Sequence, residues 1–295
     1  MRLGAVGLSR SSPHWQLFIR LMAERDYIEG DNFVFEFIEG TGGHHDFRSA
    51  YRDLASRKVD IFLVLGTERA LRAAREASTT IPTVIGAIDY DPVTHGYVTD
   101  LARPSGNITG VYFQQIELTA KRLQIFKDTF PKMRSVTVFW GTPSADQWKA
   151  AQDAAPRLGL ELVGVQFQSQ PYDYHRTFAA IAPEHRQHLL VVSMGDFFVD
   201  RARLAQFALT TCTRSMFAGR EWVDAGGLLS YGPNLSGMVQ RLAEYVDRIA
   251  RGAKPSELPI EQPAAFELVV NLRTAKALGV ALPASIFARA NEVLE

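Results

Sequence analysis

Cysteine is nearly absent. Cys212 stands alone in 295 residues, so neither an intramolecular disulfide nor a multi-cysteine metal cluster can form. No run reaches the ~18 consecutive apolar residues of a membrane span. Neither sign of charge is in excess. The 32 Lys+Arg and 32 Asp+Glu cancel to a net charge of 0, which argues against a nucleic-acid binder that needs a basic surplus. The opening MRLGAVGLSR is not a signal peptide, because a strand-like run starts at once and no longer apolar core follows. G-x-S-x-G, G-x-x-x-x-G-K-[ST] and G-x-G-x-x-G are also missing. What is present is ordinary globular material: 46% hydrophobic and 22% charged residues, enough for real cores. At roughly 150 residues per domain, the length predicts about two domains.

Short apolar runs alternate with amphipathic stretches. Strands are predicted at 3–8, 33–38, 61–65 and 83–88, with helices at 15–25, 47–57 and 70–77 between them. The pattern resumes with helices at 117–129, 146–157, 174–182 and 199–210 and strands at 135–140, 161–167, 189–193 and 215–218. This alternation predicts an α/β fold of parallel βαβ units, with helices on both sheet faces. Pro and Gly punctuate residues 103–110, which reads as a boundary between two units. Helix 235–251 follows, with Met238, Leu242, Tyr245, Val246 and Ile249 apolar, then an extended segment with Pro255, Pro259 and Pro263. Too few residues remain for a third core. That helix must pack back onto the first unit, so the chain crosses between lobes several times.

Ligands of parallel α/β sheets bind outside the carboxyl ends of the strands, where loops enter helix N-termini. Ser9, Ser11 and Ser12 offer donors for an anion, although one of them also suits a cap before Pro13. Gly66 and Thr67 allow close backbone approach. Asp91-Pro92 reads as an N-cap and first helical residue. Asp89 lacks that explanation and suits a ligand ammonium or hydroxyl, as does Asp196 in the second unit. Tyr90, Phe113, Trp140, Phe197 and Trp222 suit an aromatic face or the core. Gln114, Ser144 and Glu221 complete the polar inventory of these loops. His44-His45-Asp46 has no third ligand at metal spacing and reads as a solvated loop. Cys212 reads as a bland helical cysteine, and Lys121-Arg122 and 201–203 as solvated helix faces. No catalytic residue, metal or cofactor is expected.

Several strings resemble the ABC transporter substrate-binding protein family, whose characterised members bind tryptophan and other aromatic amino acids. They are YIEGDNFVFEF (27–37), TTIPTVIGAIDYDPV (79–93), LARPSGNITGV (101–111), REWVDAGGLLSYGPNL (220–235), YVDRIARGAKPSELPIEQP (245–263) and FELVVNLRTAKALG (266–279). They fall in the family's order and spacing over essentially the whole chain. The loop after Trp140 reads Gly-Thr-Pro-Ser-Ala where relatives often carry Asn-Pro.

The resemblance implies a periplasmic-binding-protein architecture of the first type: two Rossmann-like lobes with parallel sheets, joined by three crossovers. Residues 1–111 and 232–259 would form the first lobe, and 112–231 and 260–295 the second, with a ligand cleft between them. It further implies a monomeric receptor subunit of an ABC importer, outside the cytoplasm, with its leader removed. Its partners would be a small-molecule solute, an aromatic amino acid or aromatic carboxylate first, and the permease membrane subunits, but no nucleic acid. The alternatives are a ligand-sensing domain of a receptor or regulator, and an enzyme on a doubly wound scaffold.

Overall fold

A computed structural model describes residues 1–40, 46–104, 106–263 and 265–295. The first run of elements is β1 (Arg2–Gly7), α1 (Pro13–Ala23), β2 (Val34–Glu39), α2 (Phe47–Ser56), β3 (Ile61–Gly66), α3 (Glu68–Ala77), β4 (Thr83–Ala87) and β5 (Ile108–Tyr112). The second is α4 (Gln115–Thr129), β6 (Ser135–Gly141), α5 (Ala145–Ala154), β7 (Glu161–Phe167), α6 (Tyr174–Ala179), β8 (His188–Val191), α7 (Gly195–Val199), α8 (Arg201–Thr210), β9 (Arg214–Phe217), α9 (Arg220–Asp224) and β10 (Leu229–Pro233). Then follow α10 (Leu235–Ala250), β11 (Ile260–Glu261), β12 (Phe266–Asn271), α11 (Leu272–Ala277), α12 (Ala284–Arg289) and β13 (Glu292–Leu294).

These elements form two compact units. The first is Met1–Phe113 with Leu235–Ala264, and the second is Gln114–Asn234 with Ala265–Glu295. The first sheet has the order β11-β5-β4-β3-β1-β2, and every pairing is parallel. The second has the order β13-β12-β10-β9-β8-β6-β7, and only β10–β12 is antiparallel. Such inner strands are covered on both faces, which is why Ile61–Leu65 and Leu189–Val191 read as unbroken apolar runs. Pro13 starts α1 because a first-turn residue needs no N–H partner. In the first unit α10 packs beside α1 and over β4 and β5. It buries Met238, Val239, Leu242, Tyr245, Val246 and Ile249, the face that its spacing predicts.

Four expectations are corrected. Residues 103–110 are not all boundary: Ile108–Tyr112 is β5, an inner strand between β4 and β11. Its Gly110 has φ +142, and an added Cβ would lie 2.0 Å from the Ile85 carbonyl oxygen. The glycine that resembled punctuation is therefore what lets β5 approach β4. The third crossing lies later than the expected boundary after residue 259, because Ile260 and Glu261 pair with Gly110 and Val111 in the first sheet and the first unit runs to Ala264. Prolines are tolerated beside such a short edge strand. The second crossing is also later, since Gly232 and Pro233 belong to β10. Finally, helix 199–210 is split at Asp200, and Cys212 lies past its end at φ +53. His44 and His45 lie outside the described residues.

Candidate functional site

In each unit five strands run in the order 2-1-3-4-5, counted within the unit. Chain direction around the sheet therefore reverses between β1 and β3, and again between β6 and β8. The crevice outside such a switch point is where α/β sheets place ligands. In the first unit the loops after β1 and β3 flank it. Ser12 and Thr67 occupy the N-cap positions of α1 and α3, yet neither side chain makes a capping hydrogen bond. The Thr67 Oγ1 atom is buried without a partner among the described residues. The preceding Gly66 has φ +104 with open space where a Cβ would stand. A cap would have explained Thr67 locally; its hydroxyl is instead left for something else.

The serine loop is more occupied. Ser9 Oγ and the Arg10 backbone N–H donate to Glu39 Oε1 at 3.2 and 2.7 Å, while Ser9 Oγ and Ser11 Oγ are 2.9 Å apart. A carboxylate of the protein's own thus sits where an anion was expected. After β4, Asp89 and Tyr90 are both buried. Burial, aided by Asp89, Tyr97, Tyr51 and Glu68, pushes the Tyr90 phenol well above its usual range. Among the described residues the hydroxyls of Tyr90 and Tyr51 are buried without partners, and Tyr97 donates to Glu68 beside Thr67. Asp91 accepts from the Val93 N–H at 2.8 Å, but it caps a turn, and the helix expected to start at Pro92 does not form. Phe113 is a core residue of the first unit.

In the second unit the predicted residues meet different fates. Ser144 is fully buried, and its Oγ lies 3.1 Å from both the N and the O of Gly141, closing its own turn. Trp140 stacks on Trp148 of α5 with centroids 5.8 Å apart and planes at 9°; its Nε1 is buried without a partner among the described residues. Asp196 accepts from Tyr172 Oη at 2.7 Å. Gln114 is half-buried at the start of α4. Glu221 is held in the first turn of α9, where burial first and Asp224 and Glu267 next raise its carboxyl to about 7. Trp222, its neighbour, has a buried Nε1 without a partner among the described residues. Among the described residues no three His, Cys, Asp or Glu side chains are grouped to hold a metal.

The sequence reading missed Arg122. It is fully buried rather than on a solvated face, while Lys121 is exposed. Its guanidinium donates to the Tyr231 carbonyl (2.6 Å), Gln115 Oε1 (3.0 Å) and the Ala218 carbonyl (3.1 Å). Gln147, also missed, bonds both backbone atoms of Ser193, at 3.0 and 2.7 Å. A signal was available: Gln115, Leu118, Thr119, Arg122, Phe126 and Thr129 share the buried stripe of α4 at helical spacing.

The sequence matches the ABC transporter substrate binding protein family over residues 16–294. The chain belongs to that family. A tyrosine-binding protein of Clostridioides difficile (strain R20291) is 23% identical over 286 residues, which are 92% of this chain and 80% of that protein. A conserved domain protein from Vibrio cholerae has a TM-score of 0.88 at 21% identity, with 99% of each chain covered. An ABC domain from Streptococcus pneumoniae in complex with L-Trp has a TM-score of 0.86 at 18% identity, again with 99% of each covered. At these identities the solved structures establish the fold, the periplasmic-binding-protein type. Family membership makes the chain a substrate-binding component, with a small molecule and a permease as its partners and a place outside the cytoplasm. Among the described residues no helix is long and apolar enough to cross a membrane.

Proposed function

We propose that this family member is the solute receptor of an ABC importer and takes an aromatic amino acid or a related aromatic carboxylate. The observation that carries the reading is Thr67, a helix N-cap residue whose buried hydroxyl caps nothing, at the switch point of the first sheet. Buried polar atoms without partners need an explanation, and a ligand atom is one. Tyr90 and Asp89 after β4 would supply further polar contacts, and Glu221 with the Trp222 indole those of the second unit. The tyrosine-binding and L-Trp-bound relatives support the choice of solute class. Closure of the two units over the solute, with release to a permease, is the expected working cycle.

Calorimetry of the purified chain against L-tyrosine, L-tryptophan and 4-hydroxybenzoate tests the reading. At least one should bind, and Thr67→Val should weaken it about tenfold by removing a buried hydrogen bond. Absence of binding across aromatic acids rejects that solute class.

A further inference from the structure

Arg122 is the one fully buried lysine or arginine among the described residues. Its surroundings occupy Nε and Nη2 without cancelling its charge. Nε donates to the Tyr231 carbonyl, and Nη2 to Gln115 Oε1 and the Ala218 carbonyl. All three acceptors are neutral. Nη1 carries two N–H groups, yet its one contact among the described residues is Thr119 Oγ1 at 3.5 Å. Among the described residues its hydrogen-bond partners include no carboxylate, and burial pulls its pKa down to about 9, so it stays protonated at neutral pH. A buried charge without a counter-ion is strongly unfavourable unless something compensates it.

The location gives this imbalance a direction. Ala218 immediately follows β9, and Tyr231 lies on β10. Thr119 Oγ1 donates to the Gln115 carbonyl at 2.7 Å and lies 3.4 Å from Oε1 of Gln147 on α5, whose amide group in turn holds Ser193 beyond β8. The guanidinium is thus fixed to the backbone at the carboxyl end of β9 and to the adjacent β10. Meanwhile the serine loop of the first unit, the other anion-seeking feature, already holds Glu39.

We propose that Arg122 makes the second unit selective for an anionic solute, with the under-filled Nη1 edge and uncancelled charge as counterpart to a solute carboxylate. This rests on the solute-receptor reading and narrows it. Arg122 is fully buried, so binding of the carboxylate requires the adjoining segments to admit it.

The test compares acids with their primary amides on the full chain by calorimetry. The pairs are L-tyrosine, 4-hydroxybenzoate, L-leucine and succinate, each against its amide. The wild type should favour at least one acid at least tenfold. Arg122→Met should bring that ratio to within threefold, and Arg122→Lys, which keeps charge but not the fork, should retain most of it. A structural role alone would lower Tm and both affinities together and leave the ratio unchanged; that result overturns the proposal. So does a wild type that binds a solute without preferring the acid, which would leave the receptor reading standing, or one that binds no acid. If aromatic pairs fail while an aliphatic acid binds with an Arg122-dependent ratio, the aromatic assignment falls and this one holds. Should Arg122→Met not fold, Arg122→Gln takes its place in the comparison.

Discussion

Glu221 and His188 show how a single buried group sets pH behaviour. The Glu221 carboxyl folds back over Gly219, where an added Cβ would lie 3.0 Å from Oε2. Burial raises it from 4.5 to about 7, so the folded chain binds its proton more tightly than the unfolded chain does. Its contribution to stability is therefore full below pH ~4.5 and is lost as pH rises to ~7, by about 3 kcal/mol at most. Glu221→Gln should remove this fall in urea titrations between pH 5 and 8. It should also abolish any gain in affinity for an ammonium-bearing solute above pH 7. His188 works in the opposite sense. It packs edge-on to Phe126 with its Nε2 accepting from Arg214 at 3.2 Å, and burial, with Arg214 and Lys127, lowers it to about 4. Its contribution is full above pH 6.5 and is lost as pH falls toward 4, again by about 3 kcal/mol. His188→Gln should flatten that acid limb when stability is measured from pH 7 to 4. Both residues were visible as letters; their burial was not.

At the scale of elements, close approach of backbone decides where glycine must stand. An added Cβ on Gly232 of β10 would lie 2.0 Å from the Ala218 carbonyl oxygen, the same oxygen that Arg122 binds. Gly232→Ala should therefore cost more than about 2 kcal/mol, well above the usual glycine-to-alanine effect in a strand. The loss should appear as a lowered denaturation midpoint. In α10, Leu242 is fully buried over the first sheet. Leu242→Ala should destabilise by about 2–5 kcal/mol through lost burial and a cavity. Hydrogen exchange should then show reduced protection in β4 and β5 first, with β6 and β8 less affected. The periodicity of α10 was legible because its apolar spacing is regular. Strand β5 was not, because Pro104, Gly106 and Gly110 carry the same letters in a loop and beside a close strand pair.

The whole molecule is two units whose segments interleave along the chain. The β11 segment is held in the first unit by several ties: from α10, Arg241 pairs with Glu261 on both oxygens and Tyr245 donates to the Pro259 carbonyl, and from β5, Thr109 Oγ1 donates to the Leu258 carbonyl at 2.8 Å. A fragment of residues 1–113 lacks α10 and β11 and exposes the apolar face of β4 and β5. It should lack native near-UV circular dichroism and bind a hydrophobic dye, and a peptide of residues 235–263 added in trans should reverse both. A native-like fragment without that peptide would show that the first unit needs only consecutive sequence.

The alternation of apolar runs and amphipathic stretches by itself determined the α/β class, the helices and most of the strands. Family strings distributed along the chain determined the architecture. These are local properties: side-chain period, turn chemistry and composition act within a few residues. What only the tertiary structure decided was the fate of each polar side chain. Among the described residues the serine loop is spent on Glu39, Thr67 keeps an unused hydroxyl, and Arg122 is buried among neutral acceptors without a counter-ion. Desolvation and hydrogen-bond partners depend on groups tens to hundreds of residues apart in sequence, and only packing brings these together.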